Sequence, residues 1–216
     1  MIQAAVLQRL RAVLPARNIL ENEPMRLHTT FRIGGPADVL CLPENDEQVA
    51  QTVALLKEEQ IPFYIVGNGS NILVKDRGFR GCIVKMLHQG REIRVDREAK
   101  TLYAGAGETM MSIAVRCAKE GLAGMEFASG IPGTLGGALY MNAGAYKSDI
   151  ASCLQQVLVY RDDRLEWMER SNLDYSYRHS AFQDHADWLI LGARIKLESG
   201  DQKEIRALMD ARRARR

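Results

Sequence analysis

Helical and strand-like spacings of apolar residues alternate along this chain. MIQAAVLQRLRAVLP sets Arg9 and Arg11 inside its apolar stretch, the pattern of an amphipathic helix; a signal peptide would carry its charges ahead of the apolar run. The loop ENEPMRLHTTFRIGGPADVL turns at Gly34-Gly35-Pro36 and leads into a strand near Ala37 to Leu42. Asn45 is placed to cap the next helix, with Gln48 completing a capping box, and Val49, Val53 and Leu56 form its inner stripe. FYIVG is then a short buried strand ended by the turn GNGSN, so the first 75 or so residues predict a small β-α-β unit.

From GCIVKM onward the pattern shortens to the strands EIRVD and TLYAGAG, followed by a helix from about Thr109 that Gly121 can close. Farther on come the strands QQVLVYRD and RLEWME, the polar segment SNLDYSYRHS, the strand DWLILGARIKLE and a last helix from about Gln202. Helices are too few to cover a parallel sheet on both faces, which makes the fold class α+β with mixed or antiparallel pairing. Two subdomains are expected, at residues 1–78 and 79–216. No internal repeat or low-complexity stretch is present.

Composition narrows the class without changing the elements. At 216 residues with 46% hydrophobic and 26% charged positions, the chain has the makeup of an ordinary soluble globular protein. Its 29 basic and 27 acidic residues are too evenly matched for a nucleic-acid or membrane surface. The excess is local: without Arg212, Arg213, Arg215 and Arg216 there are 25 basic against 27 acidic residues, a net charge of −2. Cys41, Cys82, Cys117 and Cys153 form no C-x-x-C pair, so they are expected to be reduced thiols in a cytoplasmic protein. No run reaches membrane-spanning length.

Three segments could carry chemistry. FASGIPGTLGGALYMNAGAY, residues 127–146, packs Gly130, Gly133, Gly136, Gly137 and Gly144 among apolar or small residues, unlike a serine-rich linker. It lacks the Lys-Ser/Thr of a P-loop and the G-x-G-x-x-G spacing. Bare backbone and a helix starting near Gly133 could receive an anion, and tight helix-to-strand packing would explain the same glycines. In GNGSNIL, Gly67 and Gly69 permit left-handed backbone, while Asn68, Ser70 and Asn71 could donate to phosphate or to their own turn. In DYSYRHSAF, Arg178 lies between Tyr177 and His179, flanked by apolar strands. His179 and His185 share no ligand partner in sequence, so no metal site is expected.

Together, HTTFRIGGPADVL, YIVGNGSNILV, ASGIPGTLGGALYMNAGAY and DYSYRHSAF closely resemble the UDP-N-acetylenolpyruvoylglucosamine reductases, the MurB family of peptidoglycan precursor synthesis. The resemblance runs in order from about residue 20 to the C-terminus. It implies two α+β subdomains forming an FAD-binding fold of the vanillyl-alcohol oxidase and p-cresol methylhydroxylase type. Both glycine segments would hold the diphosphate and ribityl chain of FAD. The implied cofactor contacts are Gly67, Asn68, Gly69, Ser70, Asn71 and Ile72, with Ser129, Gly130, Ile131, Pro132, Gly133, Thr134, Gly136, Gly137, Asn142 and Gly144.

The implied reaction carries reducing equivalents from NADPH through FAD to UDP-N-acetylglucosamine enolpyruvate, giving UDP-N-acetylmuramate. Arg178 matches the catalytic arginine of the family's Tyr-Arg-x-Ser motif, and Tyr146 and Tyr177 match positions near substrate. GNGSNIL has no histidine to tether a flavin, so FAD is expected to be noncovalent. The chain is expected to be a monomer. The family's third domain, with its proton-donating serine and terminal glutamate, is not matched before Arg216, and the short segment after Arg178 resembles the shorter of the family's two architectures. A flavin-binding module without turnover and a related flavoprotein oxidase are the alternative readings.

Overall fold

In the computed structural model, which describes residues 2–86, 92–185 and 187–215, the first apolar stretch is helix α1 (Ala4–Val13), with Val6 and Leu10 turned inward. The chain divides into two units, Met1–Gln89 and Gly90–Arg216. In the first, α1 is followed by β1 (Ile19–Pro24), β2 (Pro36–Cys41), α2 (Asp46–Glu58), β3 (Phe63–Val66) and β4 (Phe79–Lys85). Their sheet has the order β1-β2-β4-β3, with β2 and β3 parallel to β4 and β1 antiparallel to β2.

Strand β4 lies between the two strands of the expected β-α-β unit and is buried from Gly81 to Lys85. A boundary after residue 78 would remove the strand that joins β2 to β3, which is why the first unit extends to Gln89. Strand β1 falls in what the sequence suggests is a loop. ILENEP has no two-residue apolar alternation, and it holds its place as a half-solvated edge by pairing with β2.

Alternate residues of the sheet enter two cores. Val39, Cys41, Cys82 and Val84 pack with Leu10, Leu14 and Leu56 from the helices. Ala37, Leu40 and Ile83 pack with Met25, Ile72 and Val74 from loops, so loops cover the second face. The cap on α2 is as expected at Asn45, whose Oδ1 accepts from Gln48 N at 2.9 Å. Gln48 Oε1 returns the contact one residue earlier than in the usual box, accepting from Glu44 N at 2.8 Å.

The second unit contains β5 (Ile93–Asp96), β6 (Thr101–Gly105), α3 (Met110–Glu120), β7 (Leu122–Ala123), α4 (Leu135–Tyr140), β8 (Gly144–Ala145) and β9 (Ser148–Asp149). It continues with β10 (Leu154–Arg161), β11 (Arg164–Glu169), β12 (Leu189–Lys196), β13 (Glu198–Ser199) and α5 (Gln202–Ala214). The main sheet is antiparallel throughout, in the order β11-β10-β12-β6-β5. One face buries Leu102, Ala104, Val157, Val159, Ala193 and Ile195. Thr109 caps α3, accepting from Ser112 N at 3.0 Å, and Gly121 closes it at φ 67°.

Short β8 and β9 pair as a hairpin, and β7 pairs with β13. Cys41, Cys82, Cys117 and Cys153 are free thiols, and burial pushes Cys117 and Cys153 up to about 12. Among the described residues, no helix is long and apolar enough to cross a membrane. Arg216, the last residue of the basic tail, lies outside the described residues.

Candidate active site

Loop 67–71 leaves β3 and folds against the segment that follows β1. Gly69 is buried at φ 65°, and a Cβ there would overlap the carbonyl oxygen of His28 and lie 3.0 Å from Thr29 Cα. Thr30 N donates to Gly69 O at 3.1 Å, which locks the two segments together. Gly69 therefore makes room for the protein's own backbone. Gly67, Asn68 and Ser70 remain half-buried and Asn71 is exposed, while the side chain of Ile72 is spent on the core beneath the loop.

The glycine run of the second unit has a different division of labour. A short 3-10 turn over Glu126–Gly130 precedes α4, and Ser129, fully buried, donates through Oγ to Glu126 O at 2.9 Å. Ser129 is thus a turn residue whose hydroxyl is already committed. Helix α4 begins at Leu135, and its first amides face protein: Leu135 N donates to Glu108 O at 2.8 Å and Gly136 N to Ala106 O at 2.9 Å. The packing alternative accounts for Gly136 and not for Gly137. A Cβ on Gly136 would press on Ala106 Cβ at 3.1 Å, whereas one on exposed Gly137 meets nothing closer than Thr134 Oγ1 at 3.8 Å.

Gly130, Ile131 and Gly133 are half-buried and Pro132 exposed, while Thr134 is buried. The space above Gly137 is open.

Arg178 stands at the tip of a tight hairpin closed by reciprocal Ser176–His179 backbone bonds of 3.2 Å each. Its φ of 56° is left-handed, a conformation that costs an L-residue about 1 kcal/mol or more. The exposed guanidinium donates through Nη2 to Gly144 O at 3.3 Å and lies 5.8 Å from the Tyr177 ring centre. Three side chains hold this hairpin to the end of α4. Ser180, fully buried, donates to Tyr140 O at 2.7 Å, and Gln183 Nε2 reaches both Tyr140 O and Arg178 O at 3.0 Å. The third is Asn142, 4% exposed, whose Nδ2 donates to Ser176 O at 2.8 Å and Asp149 Oδ2 at 3.3 Å while Oδ1 accepts from Ala151 N at 3.2 Å.

Asn142, a cofactor contact by resemblance, is a brace between two hairpins here, with both amide hydrogens used. Asn142→Ala would leave Ser176 O and Ala151 N without that partner, at a combined cost of about 2–4 kcal/mol. Chemical denaturation checks this. An unchanged midpoint would mean that Ser180 and Gln183 suffice.

The two tyrosines separate. Tyr177 is 90% exposed. Tyr146, at φ 56°, donates its hydroxyl to Arg212 O, and the Arg212 guanidinium lies 5.3 Å from its ring centre, so the residue fastens α5. Gly144 presents its carbonyl to Arg178, and a Cβ there would come 2.8 Å from Asp149 Cβ across the β8–β9 hairpin.

One region carries no sequence-based assignment. In the first unit Leu27, Phe31, Ile33 and Leu73 are 65%, 61%, 49% and 72% exposed, and a cleft of about 430 Å³ is lined by Arg26, Leu27, Thr29 and Arg32. Large apolar residues with neither helix nor strand periodicity, ahead of Gly-Gly-Pro, are the pattern that marks it.

The sequence matches the model of a family described as an FAD binding domain over residues 37–163. UDP-N-acetylenolpyruvoylglucosamine reductase of Caldanaerobacter subterraneus subsp. tengcongensis is 41% identical over 212 residues, covering 98% of this chain and 69% of that protein. The Bacillus licheniformis protein of the same name is 40% identical, covering 94% and 67%. That of Bacillus subtilis is 39% identical, covering 87% and 61%, so the chain spans about two thirds of the length of these relatives. Among solved structures, the MurB reductase from Thermus caldophilus superposes with a TM-score of 0.74 at 29% identity, over 91% of this chain and 68% of its own. Alkyldihydroxyacetonephosphate synthase, at 18% identity and a TM-score of 0.69, covers 92% of this chain and 44% of its own and shows the shared fold. The α+β FAD-binding fold expected from the resemblance is the observed one.

Proposed function

Because this chain belongs to the UDP-N-acetylenolpyruvoylglucosamine reductase family, a family of oxidoreductases, we propose that it is the flavin-binding part of an enzyme that uses NADPH to reduce UDP-N-acetylglucosamine enolpyruvate to UDP-N-acetylmuramate. It would act as a monomer in the cytoplasm, in peptidoglycan precursor synthesis. The observation that carries the chemistry is Arg178, an exposed cation on a strained hairpin held by three buried or bracing side chains.

FAD, when bound, supplies the hydride. Reduction of an enolpyruvyl double bond moves negative charge onto the adjoining carboxylate, and the part of Arg178 is to hold that carboxylate. A guanidinium stays charged and presents paired donors to two oxygens, a geometry that an ammonium does not reproduce. Its left-handed backbone and the Ser180, Gln183 and Asn142 bonds fix the hairpin backbone before substrate arrives, so the ordering left for the reaction is that of the arginine side chain. Tyr177, at the same tip, would lie along the substrate.

Exposed Gly137 with its open surface, and the polar loop 67–71, are the proposed FAD contacts; Ser129, Ile72 and Asn142 would act by shaping them. The cofactor would be noncovalent. The histidine beside the loop, His28, has both ring nitrogens engaged, with Glu23 at 2.8 Å and Lys85 at 3.0 Å. Acid precipitation of the purified, yellow protein is expected to release all flavin into the supernatant. A yellow pellet would show a covalent link, and colourless protein that takes up no added FAD would remove the flavin reading.

A further inference from the structure

Beneath loop 67–71 lies a string of three ionisable residues that the proposed chemistry does not use. Lys85, near the end of β4, is 8% exposed, with Nζ 3.0 Å from His28 Nδ1; His28 Nε2 is 2.8 Å from Glu23 Oε1. The side chains of His28 and Glu23 are 13% and 20% exposed. An ammonium only donates, so Nδ1 accepts from Lys85 and the proton sits on Nε2, which donates to Glu23. The imidazole thereby bridges Lys85 and Glu23. Burial lowers the pKa of Lys85, and the Glu23 carboxylate opposes that shift.

The string joins three separate pieces of chain: the end of β1, the segment after it, and β4. The loop is attached to that string at two points, Lys85 and the backbone beside His28. Val66, from which the loop departs, pairs with Lys85 and accepts from Met86 N at 2.8 Å. Gly69 rests on the backbone of His28 and Thr29 and accepts from Thr30 N at 3.1 Å. The position of the His28 backbone therefore decides where Gly69 and its neighbours lie.

We propose that Glu23, His28 and Lys85 are positioning residues for loop 67–71, a strut that sets how well the loop receives the diphosphate of a dinucleotide while itself touching no ligand. The proposal rests on the reading that this loop contacts FAD. A buried ion pair that served stability alone would affect every ligand equally, whereas a strut under a diphosphate loop acts on FAD and spares riboflavin, which has no phosphate.

The test uses His28→Leu, Lys85→Met and His28→Gln, the last because one glutamine amide can accept from Lys85 and donate to Glu23. Fluorescence titrations with FAD and with riboflavin are combined with amide hydrogen exchange of residues 67–71 in the flavin-free chain. His28→Leu and Lys85→Met are expected to raise the FAD dissociation constant at least tenfold, that of riboflavin less than threefold, and loop exchange at least tenfold. His28→Gln should stay within threefold of the parent in all three readouts. Equal weakening of FAD and riboflavin, or unchanged loop exchange in His28→Leu, would overturn the proposal. If the parent chain binds no FAD, the flavin reading fails by itself, and the exchange comparison still decides whether the strut orders the loop. Should Lys85→Met fail to fold, His28→Leu, which keeps apolar bulk, carries the comparison.

Discussion

Gly137→Val is expected to lower flavin retention by an order of magnitude or more while leaving the melting temperature nearly unchanged, and Gly69→Val is expected to do the reverse of a selective lesion, unfolding the first unit. The two positions look alike in sequence and differ in what a Cβ would meet. At Gly137 the new side chain enters open space above α4, and valine has a somewhat better helix propensity than glycine, so the fold loses nothing. Any ligand laid on that backbone would be displaced. At Gly69 a β-branched residue faces a φ of 65° and an overlap with the His28 carbonyl, two costs that together amount to roughly 3 kcal/mol or more. Thermal melts and flavin content of both variants distinguish the cases. Full flavin in Gly137→Val would remove the α4 surface from the cofactor site, and a normal melt for Gly69→Val would contradict the backbone contact.

Arg178→Lys, made in an intact reductase carrying this sequence, is expected to reduce turnover by ~10²-fold or more with a much smaller change in substrate affinity. The substitution keeps the charge and imposes no new backbone demand, since both residues meet the same cost at φ 56°. What it removes is the planar pair of donors. The interaction is strongest when charge has moved onto the carboxylate, so its loss falls on the reaction step more than on binding. Single-turnover reoxidation of reduced flavin by the enolpyruvyl substrate isolates that step. An unchanged rate would make Arg178 a structural residue of its hairpin.

Periodicity along the chain was enough for α1, α2, α3 and most strands, because burial of one face imposes a spacing of 3.6 or 2 residues within each element. Caps at Asn45 and Gly121 were legible for a similar reason: each acts on amides or carbonyls a few residues away. The co-linear motifs identified the family and singled out Arg178 as the residue proposed to carry its chemistry. Tertiary structure alone placed β4 between β2 and β3 and raised the polar segment ILENEP to a strand, since pairing partners lie tens of residues apart. It also separated residues that the motifs group together. Ser129, Asn142 and Tyr146 stand among cofactor or substrate positions in the sequence, yet their polar atoms are taken by Glu126, by Ser176 with Asp149 and Ala151, and by Arg212. Local sequence can specify that glycine, asparagine or serine is needed at a bend. Which atom then lies opposite it, the carbonyl of His28 at Gly69 or open space at Gly137, depends on how distant segments pack, and no spacing within a motif records that distance.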